Sequence, residues 1–450
     1  MDLGELYIVQ HVALVERLVN LLDPDRNIVL NMSIAEATQR VASGDPEQVR
    51  EIDGQYALIH KQGKIIRMAR SIGRPMRFFL AKQAAGPVLI VAERIDEIQA
   101  YLKQHDLADQ FHPSYTRMVP AHYLSELSLL GCPDPSPVQR RYLLSQPNRL
   151  PTDVDAIGRA YIGALAEEIN SFIASLPPAE PIGVMFSGGI DSGTLLLTTH
   201  QVLLNRGESP ARLKAFTLSV DGNQHDLNQA RQFLQAVDLD FLLEPVDVAS
   251  SAIDYVAAIR IIEDYKPLDV QAAAVGLALL TAVRQRYPQW KYLIDGDGAN
   301  ENLRDYPIHE NSELTIRSVL SNPFFYHEGW GVDKVKHSLT YSGGQSRGHV
   351  RTYAPARHLG FTGFSPFATP NVIEVAEGIP FVELTDWDEQ RLYDLKGIVC
   401  QRGIESLTGL TMPVFPKVRF QRGVIAEDKF DGVFPKHAGS YRGVFAQQFE

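Results

Sequence analysis

Ile182-Gly183-Val184-Met185-Phe186-Ser187-Gly188-Gly189-Ile190-Asp191-Ser192-Gly193 is the stretch whose reading decides the fold. IGVMF is an apolar run of strand length, and the residues from Ser192 onward read as a helix, so the glycines between them form a strand-to-helix turn. That position matters more than the letters. Two glycines let the backbone turn sharply and aim several N–H groups at one anion, while the helix N-terminus adds its partial positive charge. Ser187 and Ser192 can donate hydroxyl hydrogen bonds to the same phosphate. Asp191 would repel a phosphate unless a cation stood between them, so the loop implies Mg²⁺ together with a nucleotide. A bare serine-glycine turn can merely cap a helix; the placement directly after an apolar strand sets this one apart. The loop is neither GxxxxGK[ST] nor GxGxxG.

Working outward, LKAFTLSV, DLDFLLEPVD and KYLIDGDG read as further strands, separated by helices such as NQARQFLQAV and VQAAAVGLALLTAVRQR. Apolar strands alternating with helices predict a parallel sheet, so the second part of the chain is expected to be α/β. Before it, YALIH, KIIRMA, RFFLAK and PVLIVAE predict strands near Tyr56–Ile59, Lys64–Ala69, Arg77–Ala81 and Pro87–Ala92, an antiparallel α+β arrangement. SQPNRLPTD, ending at Asp153, is polar and carries two prolines, which makes it a linker and divides the chain into residues 1–150 and 151–450.

Composition narrows the function classes. Apolar residues make up 45% and charged residues 22%, as in a globular protein. The longest apolar run, around Ala272–Val283, is shorter than the roughly 20 residues of a membrane span, so no membrane association is expected. The amino terminus has no basic lead, apolar stretch and cleavage site, so a cytoplasmic location is expected. A formal charge of −11 argues against a nucleic-acid groove. Cys132 and Cys400 are far apart and fit neither a disulfide framework nor a zinc site; both are expected to be packing residues. His309, His327, His337, His349 and His358 have no metal-ligand spacing.

SGGIDSG resembles the pyrophosphatase (PP) loop of the asparagine synthetase family, whose members split ATP between the α and β phosphates. Asp295-Gly296-Asp297-Gly298-Ala299-Asn300-Glu301 resembles that family's SGEGADE stretch, with Tyr306 where the motif ends in Tyr, and Lys417-Val418-Arg419-Phe420 is similar to its late lysine segment. The resemblance implies an adenine nucleotide α-hydrolase-like fold in residues 151–450, and ATP and Mg²⁺ as cofactors. Ser187, Gly188, Gly189, Asp191 and Ser192 would bind ATP and pyrophosphate, with Met185, Leu218, Val220 and Gly296 beside the adenosine. Asp191 and Asn300 would hold Mg²⁺, and Lys417 would meet the charge developing on the α-phosphate.

The departures carry information too. Glutaminase-bearing relatives have a cysteine at position 2, where this chain has Asp2. Residues 52–80 still resemble the interior of a glutaminase domain of the N-terminal-nucleophile (Ntn) kind, with Ser71 in place of its usual Asp, so the first domain reads as a degenerate relative. The amine is then not drawn from glutamine on this chain. β-Lactam synthetases and lasso peptide cyclases are relatives that lack the cysteine as well. Thr362 stands where the family's GVEARVPF has its Glu, and Asp297 becomes the candidate base. Arg347, His349 and Arg351 are candidates for gripping a substrate carboxylate or phosphate by forked hydrogen bonds, or else a solvated basic loop. The expected activity is an AMP- and pyrophosphate-forming amide ligase or cyclase acting on a small-molecule or peptide carboxylate and an amine. The alternative is a catalytically impaired nucleotide-binding paralogue that regulates or scaffolds. Relatives often pair, so a homodimer is also an expectation.

Overall fold

The computed structural model describes residues 17–83, 86–128, 137–143, 146–306, 308–310, 314–321, 349–415 and 423–450. Five strands, β11 (Ile182–Met185), β12 (Leu213–Val220), β13 (Leu243–Val248), β14 (Tyr292–Ile294) and β15 (Thr362–Phe364), form one sheet in the order β13-β12-β11-β14-β15. Every neighbouring pair is parallel, as the alternation of apolar strands and helices predicts. The reason lies in the side-chain period of two. Leu213 and Ala215 enter one core with Ile182 and Val184, while Phe216, Leu218 and Val220 enter the core on the opposite face. Both faces are therefore apolar, and each is covered by helices: Val154–Ser175, Ile190–Asn205 and Glu389–Thr408 on one, Tyr255–Ile262, Pro267–Arg286 and Ala438–Gln447 on the other.

Pro267–Arg286 corrects one expectation. Counted as a whole helix of 20 residues, beyond the apolar run itself, it is long and apolar enough to cross a membrane by length and composition. In this fold it is a core helix, with Val270, Ala273, Ala274, Leu279 and Leu280 buried against the sheet.

The first part of the chain builds two four-stranded sheets and a short β2–β3 ladder (Ile28–Val29, Gly54–Gln55). One sheet, β10-β9-β5-β4 (Val138–Arg141, Tyr123–Ser128, Ile65–Arg70, Ala57–Gln62), is antiparallel throughout. The other, β1-β7-β6-β8 (Arg17–Asn20, Val88–Ala92, Arg77–Ala81, Arg117–Met118), departs from the antiparallel expectation, since β1 runs parallel to β7. The two sheets face each other through Ala57, Ile66, Met68, Phe78, Leu89, Val91 and Leu127. Their outer faces are covered by the helices Ile34–Ser43 and Ile95–Gln104, giving a helix–sheet–sheet–helix layering. Ser71 is buried and accepts the Tyr56 N–H at 2.9 Å, a structural hydrogen bond inside this layer.

Buried and half-buried polar contacts fasten this part to the α/β part. Arg50 donates to both oxygens of Glu374 at 2.7 and 2.6 Å and to Asn371 at 2.8 Å. Arg77 and Arg94 pair with Glu263, and Glu93 pairs with Arg357. Asp53 and Glu168 lie together; burial raises both, and burial followed by the Asp53 charge pushes Glu168 up to about 8. The folded state thus holds the Glu168 proton more tightly than the unfolded chain does. Its contribution to stability is full below the ordinary carboxylate range and is lost as pH rises through about 8. Glu168→Gln, which keeps the shape of the protonated acid, should flatten the alkaline fall in Tm; each tenfold difference in proton affinity between folded and unfolded chain corresponds to about 1.4 kcal/mol. Thermal melts of both proteins across a pH series check this.

Candidate functional site

The strand order reverses at β11: β12 and β13 lie to one side of it, β14 and β15 to the other. Loops leaving the carboxyl ends of β11 and β14 therefore diverge and open a crevice, which is where open α/β sheets bind ligands. The serine-glycine loop follows β11, and Asp295–Asn300 follows β14.

The loop is shaped by its own hydroxyls. Ser187 N–H donates to Ser192 Oγ at 3.2 Å, Gly189 N–H donates to Ser187 Oγ at 3.3 Å, and Ser192 Oγ–H donates to the Gly189 carbonyl at 3.3 Å. The helix Ile190–Asn205 starts at Gly189 with no side-chain cap, so no cap side chain takes its first N–H groups. Gly188 has φ +74°, and a Cβ there would stand 2.8 Å from the Ala230 nitrogen of the helix His225–Ala236. Only glycine allows that approach. Gln229 Nε2–H holds the loop from the same side, donating to the Ser187 carbonyl at 3.2 Å.

The second motif lies against the first. A Cβ on Gly296 would be 3.4 Å from Asp191 Cβ and 3.6 Å from the Ser192 nitrogen, ordinary contact distances. Asp295 is buried, and its Oδ1 accepts the Asp297 N–H at 3.0 Å and the Ser365 hydroxyl at 2.8 Å. Burial raises Asp295 to about 7. Asp297 is raised well above the carboxylate range by burial first and by Asp295 next, opposed by Thr352 and Arg351. Arg351 is itself engaged by Asp269, through Nε at 3.0 Å and Nη2 at 2.9 Å, which gives it an internal partner. Gln55 reaches in from β3: with its amide assigned by its surroundings, it donates to the Gly363 carbonyl at 3.1 Å and accepts the Ser365 N–H at 3.0 Å.

Sequence reasoning missed the residue that joins the two motifs. Lys396, on the helix Glu389–Thr408, places Nζ 2.7 Å from Asp191 Oδ1, 2.6 Å from Asn300 Oδ1 and 2.9 Å from Asp305 Oδ2. Burial alone would lower its pKa, but Asp191 and Asp305 outweigh this and raise it, so the ammonium is permanent. An isolated lysine in an amphipathic helix gives no signal in sequence; only its position on the buried face of that helix marks it.

Of the other expected site residues, Ser187, Gly188, Gly189, Asp191, Ser192, Gly296, Asp297 and Asn300 come together here. Met185 ends β11, half-buried near Gly276. Leu218 and Val220 do not line a site with their side chains, which are packed in the core with Val246 and Ile259. Thr362 pairs with Tyr292 at the amino end of β15 and is exposed, away from the carboxyl ends of the strands. Ser365 occupies the place beside Asp295 instead. Cys400 is buried in the core, and His309 pairs with Glu389 at 3.1 Å. Lys417, Asp2, Cys132, His327, His337 and Arg347 lie outside the described residues. Among the described residues, no group of three or more His, Cys, Asp or Glu is arranged to hold a metal ion.

A search of curated proteins found no match. Among solved structures, the U34-tRNA thiolase NcsA from Methanococcus maripaludis with its 4Fe-4S cluster is similar at 11% identity and a TM-score of 0.23, over 65% of this chain and 80% of its own. Residues 175–361 match the family model for asparagine synthase. That span holds both motifs and strands β11 to β14, and through it the chain is similar to the asparagine synthase family of ATP-dependent ligases.

Proposed function

We propose that the protein is an AMP- and pyrophosphate-forming amide ligase or cyclase that adenylates a substrate carboxylate for attack by an amine not released from glutamine on this chain. The observation that carries this reading is the contact between the uncapped serine-glycine loop and the Asp295–Asn300 motif across the reversal of strand order. An anion in this crevice would meet the loop N–H groups and the Ser187 and Ser192 hydroxyls. Asp191, a hard oxygen donor, fits a magnesium ion carried by the nucleotide, which supplies charge neutralisation at the phosphates. Asn300 does not fit as its co-ligand, because its carbonyl oxygen is held by Lys396. Lys417 is the residue proposed to meet the α-phosphate.

The layered first half supports its reading as a degenerate glutaminase-like domain, with Ser71 turned to a structural hydrogen bond. The chain then belongs with the β-lactam synthetase and lasso cyclase kind, as a cytoplasmic enzyme in which a small molecule or peptide supplies both partners or an external amine attacks.

Asp297 is the base in this scheme, and it must lose its proton to accept one from the amine. Because burial and then Asp295 hold that proton, kcat/KM should climb with pH at values above the ordinary carboxylate range. Asp297→Asn should lower it by about 10²-fold and remove that limb of the profile. An unchanged profile in the variant would exclude Asp297 as the base.

Incubation with ATP, Mg²⁺ and pooled carboxylates, with AMP and pyrophosphate followed, tests the reading as a whole. Release that depends on one acid supports it. Nucleotide binding with no release from any pool would replace it with the regulatory or scaffolding role.

A further inference from the structure

Lys396 is 2% exposed, donates to Asn300 Oδ1 at 2.6 Å and to Asp305 Oδ2 at 2.9 Å, and forms an ion pair with Asp191 Oδ1 at 2.7 Å. Two of these oxygens, Asp191 Oδ1 and Asn300 Oδ1, belong to the pair that sequence reasoning gave to magnesium. The third, from Asp305, is fixed by the same turn, since the Asp305 N–H donates to the Asn300 carbonyl at 2.9 Å. Magnesium requires oxygens at about 2.0–2.1 Å in an octahedron. Oxygens converging on a buried ammonium cannot do both, and two like cations would sit within van der Waals contact in a buried site.

We infer that Lys396 is a positioning residue serving as the fixed cation of this site: it ties the loop of Asp191 to the turn of Asn300 and Asp305, and it excludes a free divalent ion from these three residues. Magnesium then enters only with a nucleotide, on the remaining oxygen of Asp191; this last step rests on the ATP reading above. The arrangement explains why an amide at position 300 suffices. Two carboxylates and one ammonium already leave a single negative charge here, and a third carboxylate would add to it without a cation to meet it. It also gives the loop its shape before any ligand arrives, because Asp191 sits in the first turn of the helix Ile190–Asn205 and Lys396 holds it from the far side.

The test is a titration of the nucleotide-free full chain with Mn²⁺ alone, read by the electron paramagnetic resonance of bound ion. Wild type should bind none at this site. Lys396→Gln should gain one bound ion per chain, which Asp191→Asn in the same chain removes, whereas Lys396→Arg should keep the ion out. Should Lys396→Gln fail to fold, Lys396→Gln/Asp305→Asn removes both charges of the buried pair and takes the same titration. Mn²⁺ bound by wild type and lost in Asp191→Asn would overturn the inference, as would a folded lysine variant that gains no ion. A parallel arm with a nonhydrolysable ATP analogue and Mg²⁺ separates the two readings. If the Mn²⁺ pattern holds and no analogue binds, the nucleotide assignment falls and the role of Lys396 stands. Where analogue binds, Lys396→Gln should weaken it at low Mg²⁺ by about tenfold and recover at high Mg²⁺; loss of stability alone, with affinity unchanged, would reduce Lys396 to a structural residue.

Discussion

Glu263→Ala should lower the stability of the whole chain by about 3–5 kcal/mol, the loss expected when one partner of a buried ion pair is removed. Glu263 is 1% exposed and sits in the left-handed region, φ +51°, where the helix Tyr255–Ile262 ends. Its carboxylate accepts from the Arg77 guanidinium, from the Ile95 and Asp96 N–H groups at 2.9 Å each, and pairs with Arg94 at 3.4 Å. It therefore balances a buried arginine of β6 and covers the first N–H groups of the helix Ile95–Gln104 at once. Alanine leaves the two helix N–H groups without that acceptor and removes the carboxylate from Arg77, which keeps the neutral Glu93 carbonyl at 3.1 Å. Burial already lowers the Arg77 pKa, yet a guanidinium does not shed its proton at neutral pH, so the charge stays and its desolvation is uncompensated. Glu263→Gln keeps one acceptor oxygen for the helix N–H groups and should lose less. Urea denaturation of the three proteins checks the order wild type, Gln, Ala in midpoint, and a loss under about 1 kcal/mol for Ala would show the pair to be peripheral.

Gly188→Ala should abolish nucleotide binding while the rest of the fold survives. A left-handed backbone costs a residue with a Cβ roughly 1–2 kcal/mol, and here the new methyl group would also stand 2.8 Å from the Ala230 nitrogen, a backbone atom within a packed helix. That helix cannot swing aside as a flexible side chain would. The loop must instead lift away from the helix His225–Ala236, and the N–H groups no longer converge. An affinity loss of about 100-fold or more follows, equivalent to about 2.7 kcal/mol, measurable by calorimetry with a nonhydrolysable analogue. Gly189→Ala is the matched control. Its φ is −78° and its added methyl would meet only Ser187 Oγ at 3.3 Å, so the fold should tolerate it with little loss of stability. Near-equal affinities for Gly188→Ala and wild type would place the anion elsewhere.

What the sequence made legible was local or periodic. Strands apolar on both faces announced a covered parallel sheet, and β12 was bounded correctly as Leu213–Val220 because the run is continuous and ends at Asp221 and Gly222. The strand–glycine–helix turn was legible because its chemistry is contained in seven residues. What was not legible shares one cause, that motif likeness carries no register. Thr362 was matched by letter to a glutamate, but β15 begins there, which puts it at the far end of the strand from Asp295. The side chains of Leu218 and Val220 enter the core on one of the two covered faces of β12, and an apolar strand does not say which face its neighbours will put beside a site. Lys396 was invisible because its three acceptors come from two distant segments, and only tertiary packing brings a lysine to a buried face. The parallel pairing of β1 with β7 is long-range in the same way.

Gln55, at the end of β3, grips the backbone on either side of Phe364, and the serine after it touches Asp295. The first part of the chain therefore supports the turn that carries Asp295 in the second. Excision would strip Ser365 of its neighbour and expose the underside of the very turn on which the later half depends. Gln55 thus acts as a scaffold: its two backbone hydrogen bonds make the geometry of one half of the chain depend on the presence of the other.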